Sequence, residues 1–161
     1  MKQASMTKHA GGFSLIEVLV ALVILSVGML GILTLQVKGL QFTQNAMTNT
    51  QAVNIASDMV DRIRANPAAS SAYAIPYGPT SAAPLTNCAD ADGVFVTAVC
   101  TPPAMAAHDI WQWKSQLQNA SSLPDADGRI TVNATTTPPT YTIEVKWVER
   151  GEEQQHVVKF Q

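Results

Sequence analysis

The chain is organised around residues 12–22, GFSLIEVLVAL, which open an apolar run that continues to Val37. The twenty residues after Glu17 carry no charge, and as a helix they would be about 30 Å long, the thickness of a bilayer's hydrocarbon core. A carboxylate inside such a segment costs roughly 2.5–3.5 kcal/mol and needs a cationic partner. Because Lys38 is too distant on the same helix, we expect an amine from another copy, or a new N-terminus made by cleavage at Gly12.

These residues resemble the class III signal of type IV prepilins and pseudopilins. A short leader with Lys2 and Lys8 ends in Gly12, Phe13 follows, and Glu17 is the fifth residue after the glycine. The resemblance implies that a prepilin peptidase cleaves between Gly12 and Phe13 and methylates the new Phe13 amine. It implies that Glu17 meets this amine on a neighbouring subunit during assembly. It also implies four kinds of partner: other minor pilins, major pilins, the inner-membrane assembly platform and, before assembly, the lipid bilayer.

The order of charges predicts the topology. Basic residues precede the span, which indicates a cytoplasmic N-terminus and a periplasmic C-terminal part. Because the cleavable glycine lies before the apolar run, the span stays in the product, unlike that of a secretory signal peptide. An ordinary signal anchor with a stray glutamate is the alternative. The resemblance implies an inner-membrane protein that enters a pilus, with a leader at 1–12, a transmembrane and assembly segment at 13–37, and a periplasmic head at 38–161.

The helix is expected to extend well past the span. No proline occurs in residues 13–66, and Asn66-Pro67 is a plausible stop. The predicted segments of the head are this helix at 38–66, a loop region at 67–104, and a short helix with an antiparallel sheet at 105–161. An apolar stripe beyond the span should carry the rest of the head: Ala46, Val53, Ala56, Val60 and Ile63.

Two further features concern the same helix. Ala21, Gly28 and Gly31 fall near one face of the span, where they either admit a neighbouring helix or are glycines that a membrane helix tolerates. The helix end, IASDMVDRIRANP at 55–67, resembles the type IV pilus modification proteins, a group of minor pilins. Residues 26–31, SVGMLG, are similar to the same group.

Residues 67–103 contain six of the nine prolines and predict a loop region. Cys88 and Cys100 should form a disulfide in an oxidising periplasm, with free thiols as the alternative. Two isolated cysteines do not make a metal site. The repeated motif Asp-Ala-Asp-Gly, at 90–93 and 125–128, fits tight turns better than a calcium loop, since the further acidic ligands of that loop are missing.

The C-terminal part predicts a short helix and a meander of three strands. Ile110, Trp113 and Leu117 share one face of a helix at 105–120, whereas Trp111 is either an exposed contact or a half-buried rim residue. Strand patterns follow at 129–133, 140–148 and 155–160, with a hairpin turn at 149–153. One face of the middle strand should be buried: Tyr141, Ile143, Val145 and Trp147. The fold class is therefore α+β and pilin-like, a long N-terminal helix packed on a small antiparallel sheet.

Nothing in the sequence points to catalysis. It contains no nucleophile elbow, phosphate loop, dinucleotide fingerprint or zinc-ligand spacing, so no cofactor is expected. Without residues 1–12, eight Lys and Arg stand against twelve Asp and Glu, a formal charge of −4 that argues against bulk nucleic-acid binding. The sequence predicts a minor pilin that promotes pilus assembly. Its alternatives are a pseudopilin of a type II secretion system and, less favoured, a tip-displayed adhesin or DNA-binding pilin.

Overall fold

The computed structural model describes residues 12, 14–79, 88 and 100–161. The chain divides into two compact units, Met1–Gln44 and Asn45–Gln161. Helix α1, Leu15–Ala65, supplies the described helix of the first unit and the first element of the second. It ends where expected, because Asn66 precedes a proline and has left the helical region (φ −129°, ψ 62°).

The second unit combines helices with one antiparallel sheet. A 3₁₀ helix, Pro67–Tyr73, follows α1, and helix α2 spans Pro102–Asn119. Strands β1 (Asp127–Asn133), β2 (Thr140–Glu149) and β3 (Glu152–Phe160) pair antiparallel in the order β1-β2-β3. The predicted α+β architecture, a long N-terminal helix packed on a small three-stranded sheet, is confirmed.

Helix α2 begins three residues earlier than the predicted start at 105. Pro102 and Pro103 occupy its first turn, where the missing backbone N–H groups are not needed for helical bonds. The predicted loop region 67–104 is therefore wrong at both ends, since a 3₁₀ helix opens it and α2 closes it. Prolines mark the starts of both helices here.

The core of the second unit lies between α1, α2 and the inner face of the sheet. Tyr141, Ile143, Val145 and Trp147 are buried as predicted, and so is Trp113, whose Nε1 donates to the Ile55 carbonyl at 3.0 Å. Trp111 is half-buried, the rim alternative. The hairpin from β2 to β3 turns on two residues only, Arg150 (φ +53°) and Gly151 (φ +83°), the backbone that a tight hairpin requires.

The predicted stripe on α1 is partly wrong. Ala56, Val60 and Ile63 are buried, but Ala46 and Val53 are exposed. The buried face instead runs through Thr48, Ala52, Ile55, Ala56, Met59, Val60 and Ile63. These residues recur at three- and four-residue spacing, so the true stripe is rotated slightly around the helix from the predicted one.

Gly128 has a role that the turn interpretation missed. Asp125 does lie in a turn (φ +52°), but Asp127 and Gly128 begin strand β1. A Cβ atom on Gly128 would collide with the Trp113 ring and with the Leu117 side chain. The glycine is needed because α2 packs directly on the backbone of β1.

Candidate functional site

The described part of the first unit is a helix with an exposed apolar stretch. From Leu15 to Leu40, the large apolar side chains are 50–78% exposed. Helix α1 is long and apolar enough to cross a membrane, and its most apolar stretch of eighteen residues is not buried. So much apolar surface needs lipid or other helices as its surroundings. This stretch is the candidate site.

Polar side chains inside the apolar stretch bond back to their own helix. The Ser26 hydroxyl donates to the Val23 carbonyl at 2.8 Å, and the Thr34 hydroxyl donates to the Leu30 carbonyl at 2.9 Å. These bonds satisfy the donors without a partner molecule. A Cβ atom on Gly28 or Gly31 would meet nothing within 4 Å, so this helix face is open.

Glu17 is the single charged residue of the stretch up to Val37. It is exposed and lies in the first turn of α1, where its backbone N–H donates to the Ser14 carbonyl at 3.0 Å. A carboxylate is favoured at this end of a helix by the partial positive charge of the free N–H groups. Gly12 is also exposed. Phe13 and the leader residues 1–11 lie outside the described residues, so cleavage and methylation there stay predictions.

The second unit holds a fully buried cation that sequence reasoning did not single out. Lys114 on α2 donates from Nζ to Asp127 Oδ1 at 2.5 Å, to the Gly78 carbonyl at 2.9 Å and to the Pro76 carbonyl at 3.3 Å. Asp127 Oδ2 accepts the Gly78 N–H at 2.7 Å. Burial by itself raises the pKa of Asp127, but the bonds from Lys114 and from the Gly78 and Gly128 N–H groups outweigh it and lower this pKa. The pair ties residues 76–78 to α2 and β1.

Glu144 anchors a second network on the outer face of the sheet. Its carboxylate accepts both Arg129 Nη2 at 2.6 Å and the Tyr77 hydroxyl at 2.9 Å. Arg129 and Lys146 lie over the Tyr77 ring at 4.8 and 4.7 Å. Burial raises the pKa of Tyr77 to about 12, helped by the bond to Glu144. Glu144 lies on the face of β2 opposite the one that was predicted to be buried, but these side chains cover it.

A third network joins α1 to α2. Arg62 pairs with Asp58 at 2.9 Å and with Asp109 at 3.1 Å, and Asp109 accepts the Tyr73 hydroxyl at 2.7 Å. Burial, followed by the bond to Asp109, raises the pKa of Tyr73. His108 is buried on α2 and His156 lies on β3, on separate elements. The charged groups of these three networks hold elements together, which is a structural role.

A disulfide joins Cys88 to Cys100, with Cα atoms 5.7 Å apart. It ties Cys88, which is buried, to the residue two positions before α2. The motif at 90–93 lies outside the described residues. The motif at 125–128 contributes its Asp127 to the pair with Lys114 and not to a group of metal-ligating side chains, and no such group occurs among the described residues.

Two protein families match this chain. Residues 7–33 match the prokaryotic N-terminal methylation motif, and residues 34–111 match the family described as type IV pilin Tt1218. The two matches adjoin, and the first contains Gly12, Phe13 and Glu17. No curated protein and no solved structure matches the chain.

Proposed function

We propose that this chain, which carries the methylation motif of prepilins and matches a type IV pilin family over residues 34–111, is a minor type IV pilin. Pilins are structural proteins, so the chain is a substrate of processing and not an enzyme. The observation that carries the proposal is an exposed apolar helix with one carboxylate near its start, followed by a folded second unit. The exposed apolar surface of such a helix can be covered by lipid before assembly and by neighbouring helices in a fibre.

The proposed sequence of events begins in the inner membrane. A prepilin peptidase removes residues 1–12 and methylates the Phe13 amine, and residues 38–161 face the periplasm. In the bilayer the Glu17 carboxylate lacks a cation, at a cost of roughly 2.5–3.5 kcal/mol. When a subunit enters the fibre, this carboxylate pairs with the Phe13 amine of its neighbour, and residues 13–37 join the hydrophobic fibre core. Neutralisation of the Glu17 carboxylate by this amine favours assembly.

The proposed partners follow from these steps: the prepilin peptidase, the assembly platform, and other minor and major pilins. The helix end at 55–67 supports a minor pilin of the PilV type, at a priming or tip complex. A pseudopilin of a type II secretion system shares the whole N-terminal signal and is the second candidate. Finding the protein in sheared pili, and normal secretion in its absence, would favour the pilus role.

The charges of the second unit argue against a DNA-binding pilin. After Asn66 the sequence holds five Lys and Arg against nine Asp and Glu. Three of the five cations, Lys114, Arg129 and Lys146, already lie in ion pairs. Too few cations remain to line a track for a phosphate backbone.

Substitution of Glu17 tests the proposal. We expect Glu17→Ala to be inserted and processed normally, because the cleavage site is unchanged, but to be absent from sheared fibres. Asp61→Ala is the matched control, since Asp61 is an exposed acid on the same helix outside the apolar stretch. Immunoblots of membrane and fibre fractions report both steps. Normal entry of Glu17→Ala into fibres would refute the proposed pairing.

A further inference from the structure

Arg64 and Lys159 stand apart from the ion-pair networks of the second unit. Arg62, Lys114, Arg129 and Lys146 are all paired with carboxylates. Arg64 makes no ion pair with a described residue and lies over the Phe160 ring at 5.2 Å. Lys159 is exposed on β3, and its side chain makes neither an ion pair nor a hydrogen bond with any described residue. An unpaired lysine on an acidic protein is available to an external anion.

Lys159 ends a row of polar side chains across the outer face of the sheet. The strand register places Thr131 opposite Thr142, and Thr142 opposite Lys159. A second row, Asn133 opposite Thr140, lies one step further along the strands. Neighbouring strands lie about 4.8 Å apart, and side chains on one face recur about every 6.8 Å along a strand. The face therefore presents a regular grid of hydroxyl and amide groups beside one ammonium.

This grid forms the floor of an open groove of about 610 Å³, with Thr136 and Gln161 also lining it. Volumes of this size accommodate small ligands. The hydroxyls of Thr131 and Thr142 form no side-chain hydrogen bond with any described residue. The Asn133 side chain uses only its amide oxygen, which accepts from the Thr135 N–H and hydroxyl. The adjacent part of the same face is different, because Glu144 and Arg129 there bond to each other. Thr140 in the lining already bonds to Thr136 at 3.0 Å and accepts from Gln161 at 3.4 Å. The side-chain groups of the lining that bond to no described residue therefore include the hydroxyls of Thr131 and Thr142, the Asn133 amide NH₂ and the Lys159 ammonium.

The chemistry of the groove selects a kind of ligand. Each threonine hydroxyl both donates and accepts, and a lysine donates three hydrogen bonds to acceptors such as carboxylates. Peptide recognition usually relies on apolar side-chain pockets or strand pairing. Phe160 is the apolar residue of the lining, and its ring is already occupied by Tyr141 at 5.1 Å and by Arg64. A ligand rich in hydroxyl groups and bearing a carboxylate satisfies this lining best.

We propose that the groove binds a carboxylate-bearing glycan, with Lys159 holding the carboxylate and Thr131, Thr142 and Asn133 bonding to the sugar hydroxyls. This site is independent of Glu17 and of fibre assembly. It gives the second unit a binding activity in addition to its structural role.

The test uses the full-length protein in mild detergent and a hexamer of galacturonic acid, with binding measured by calorimetry. We expect saturable binding that Lys159→Gln weakens about tenfold, because a charge-assisted hydrogen bond is lost. Thr142→Val should also weaken it, and the neutral methyl ester of the hexamer should bind the native protein as poorly as the acid binds Lys159→Gln. Tryptophan fluorescence checks that each variant is folded.

Arg64→Gln is the matched control, because Arg64 likewise makes no ion pair with a described residue and is not among the residues that line the groove. Binding to this variant should change less than about twofold. Three results would each overturn the proposal: no saturable binding, an equal loss in the Arg64 and Lys159 variants, or equally tight binding of hexaglutamate. The second result would indicate general electrostatic attraction, and the third would indicate an acidic peptide as the ligand.

Discussion

Replacement of Lys114 by methionine probes the contact that ties residues 76–78 to α2 and β1. Methionine keeps most of the apolar stem but removes the ammonium, which leaves the Pro76 and Gly78 carbonyls without this donor and Asp127 without its cation. Removing one partner of a buried pair costs about 3–5 kcal/mol. The Asp127 side chain is 22% exposed and keeps its backbone bonds. We therefore expect a loss at the lower end of this range, about 3 kcal/mol in the free energy of unfolding.

The assay is urea unfolding of the full-length chain in mild detergent, followed by the fluorescence of the buried Trp113 and Trp147. The expected loss lowers the midpoint by about 1 M or more. Lys146→Met is the matched control, because Lys146 pairs with Glu153 at the surface, at 3.2 Å, where an ion pair contributes at most about 1 kcal/mol. Equal stabilities of the Lys114 and Lys146 variants would refute the structural importance of the buried pair.

The effect of Lys114→Met should depend on pH in a defined direction. The pKa of Asp127 is lowered in the folded protein, so its contribution to stability is complete above the unfolded-state pKa of about 3.9. That contribution is lost as the pH falls through the folded-state pKa. The stability difference between native protein and variant should therefore be large at pH 7 and smaller at pH 3. A difference that grows on acidification would contradict this assignment.

Two further changes test the packing and the covalent tie. Gly128→Ala should lower the free energy of unfolding by about 1–3 kcal/mol, because the added Cβ collides with Trp113 and Leu117. Gly39→Ala is the control in the same urea assay, and it should not be destabilising because the space around Gly39 is open. Equal effects of the two substitutions would argue against close packing of α2 on β1. The double substitution Cys88→Ser and Cys100→Ser should lower the free energy of unfolding by about 3 kcal/mol, because the disulfide no longer closes the loop between two residues twelve positions apart. A double variant as stable as the native protein would show that the disulfide contributes nothing to stability.

The elements that the sequence predicted well are those with long, simple patterns. The apolar run and the missing prolines located α1 and its end at Asn66-Pro67, and strict alternation located the buried face of β2. The α2 start was missed because two prolines suggested a loop, although proline is also suited to a helix's first turn. The α1 stripe was misplaced because Ala46 and Val53 are apolar but lie on an exposed side of the helix.

Residues whose role depends on distant parts of the chain could not be predicted in this way. Lys114 and Glu144 are charged residues, and the sequence alone gives no reason to expect them to be buried. Lys114 is buried because Asp127 and the carbonyls of residues 76 and 78 bond to it. Glu144 is buried because Arg129 and Tyr77 bond to it. Gly128 likewise has the sequence signature of a turn, and only the Trp113 ring explains it. By contrast, Gly12, Phe13 and Glu17 lie within six consecutive residues of the chain, so the candidate assembly site could be recognised as a sequence motif.

The most direct test of the central claim is the mass of the protein extracted from the membrane of cells that contain a prepilin peptidase. Processing as proposed predicts a product that begins at Phe13, lacks residues 1–12 and carries one methyl group on its amine. The same cells without the peptidase should yield the uncut chain. If the chain that begins at Met1 is the sole stable form in the presence of the peptidase, the Phe13 amine never becomes available to Glu17, and the proposed assembly mechanism is wrong.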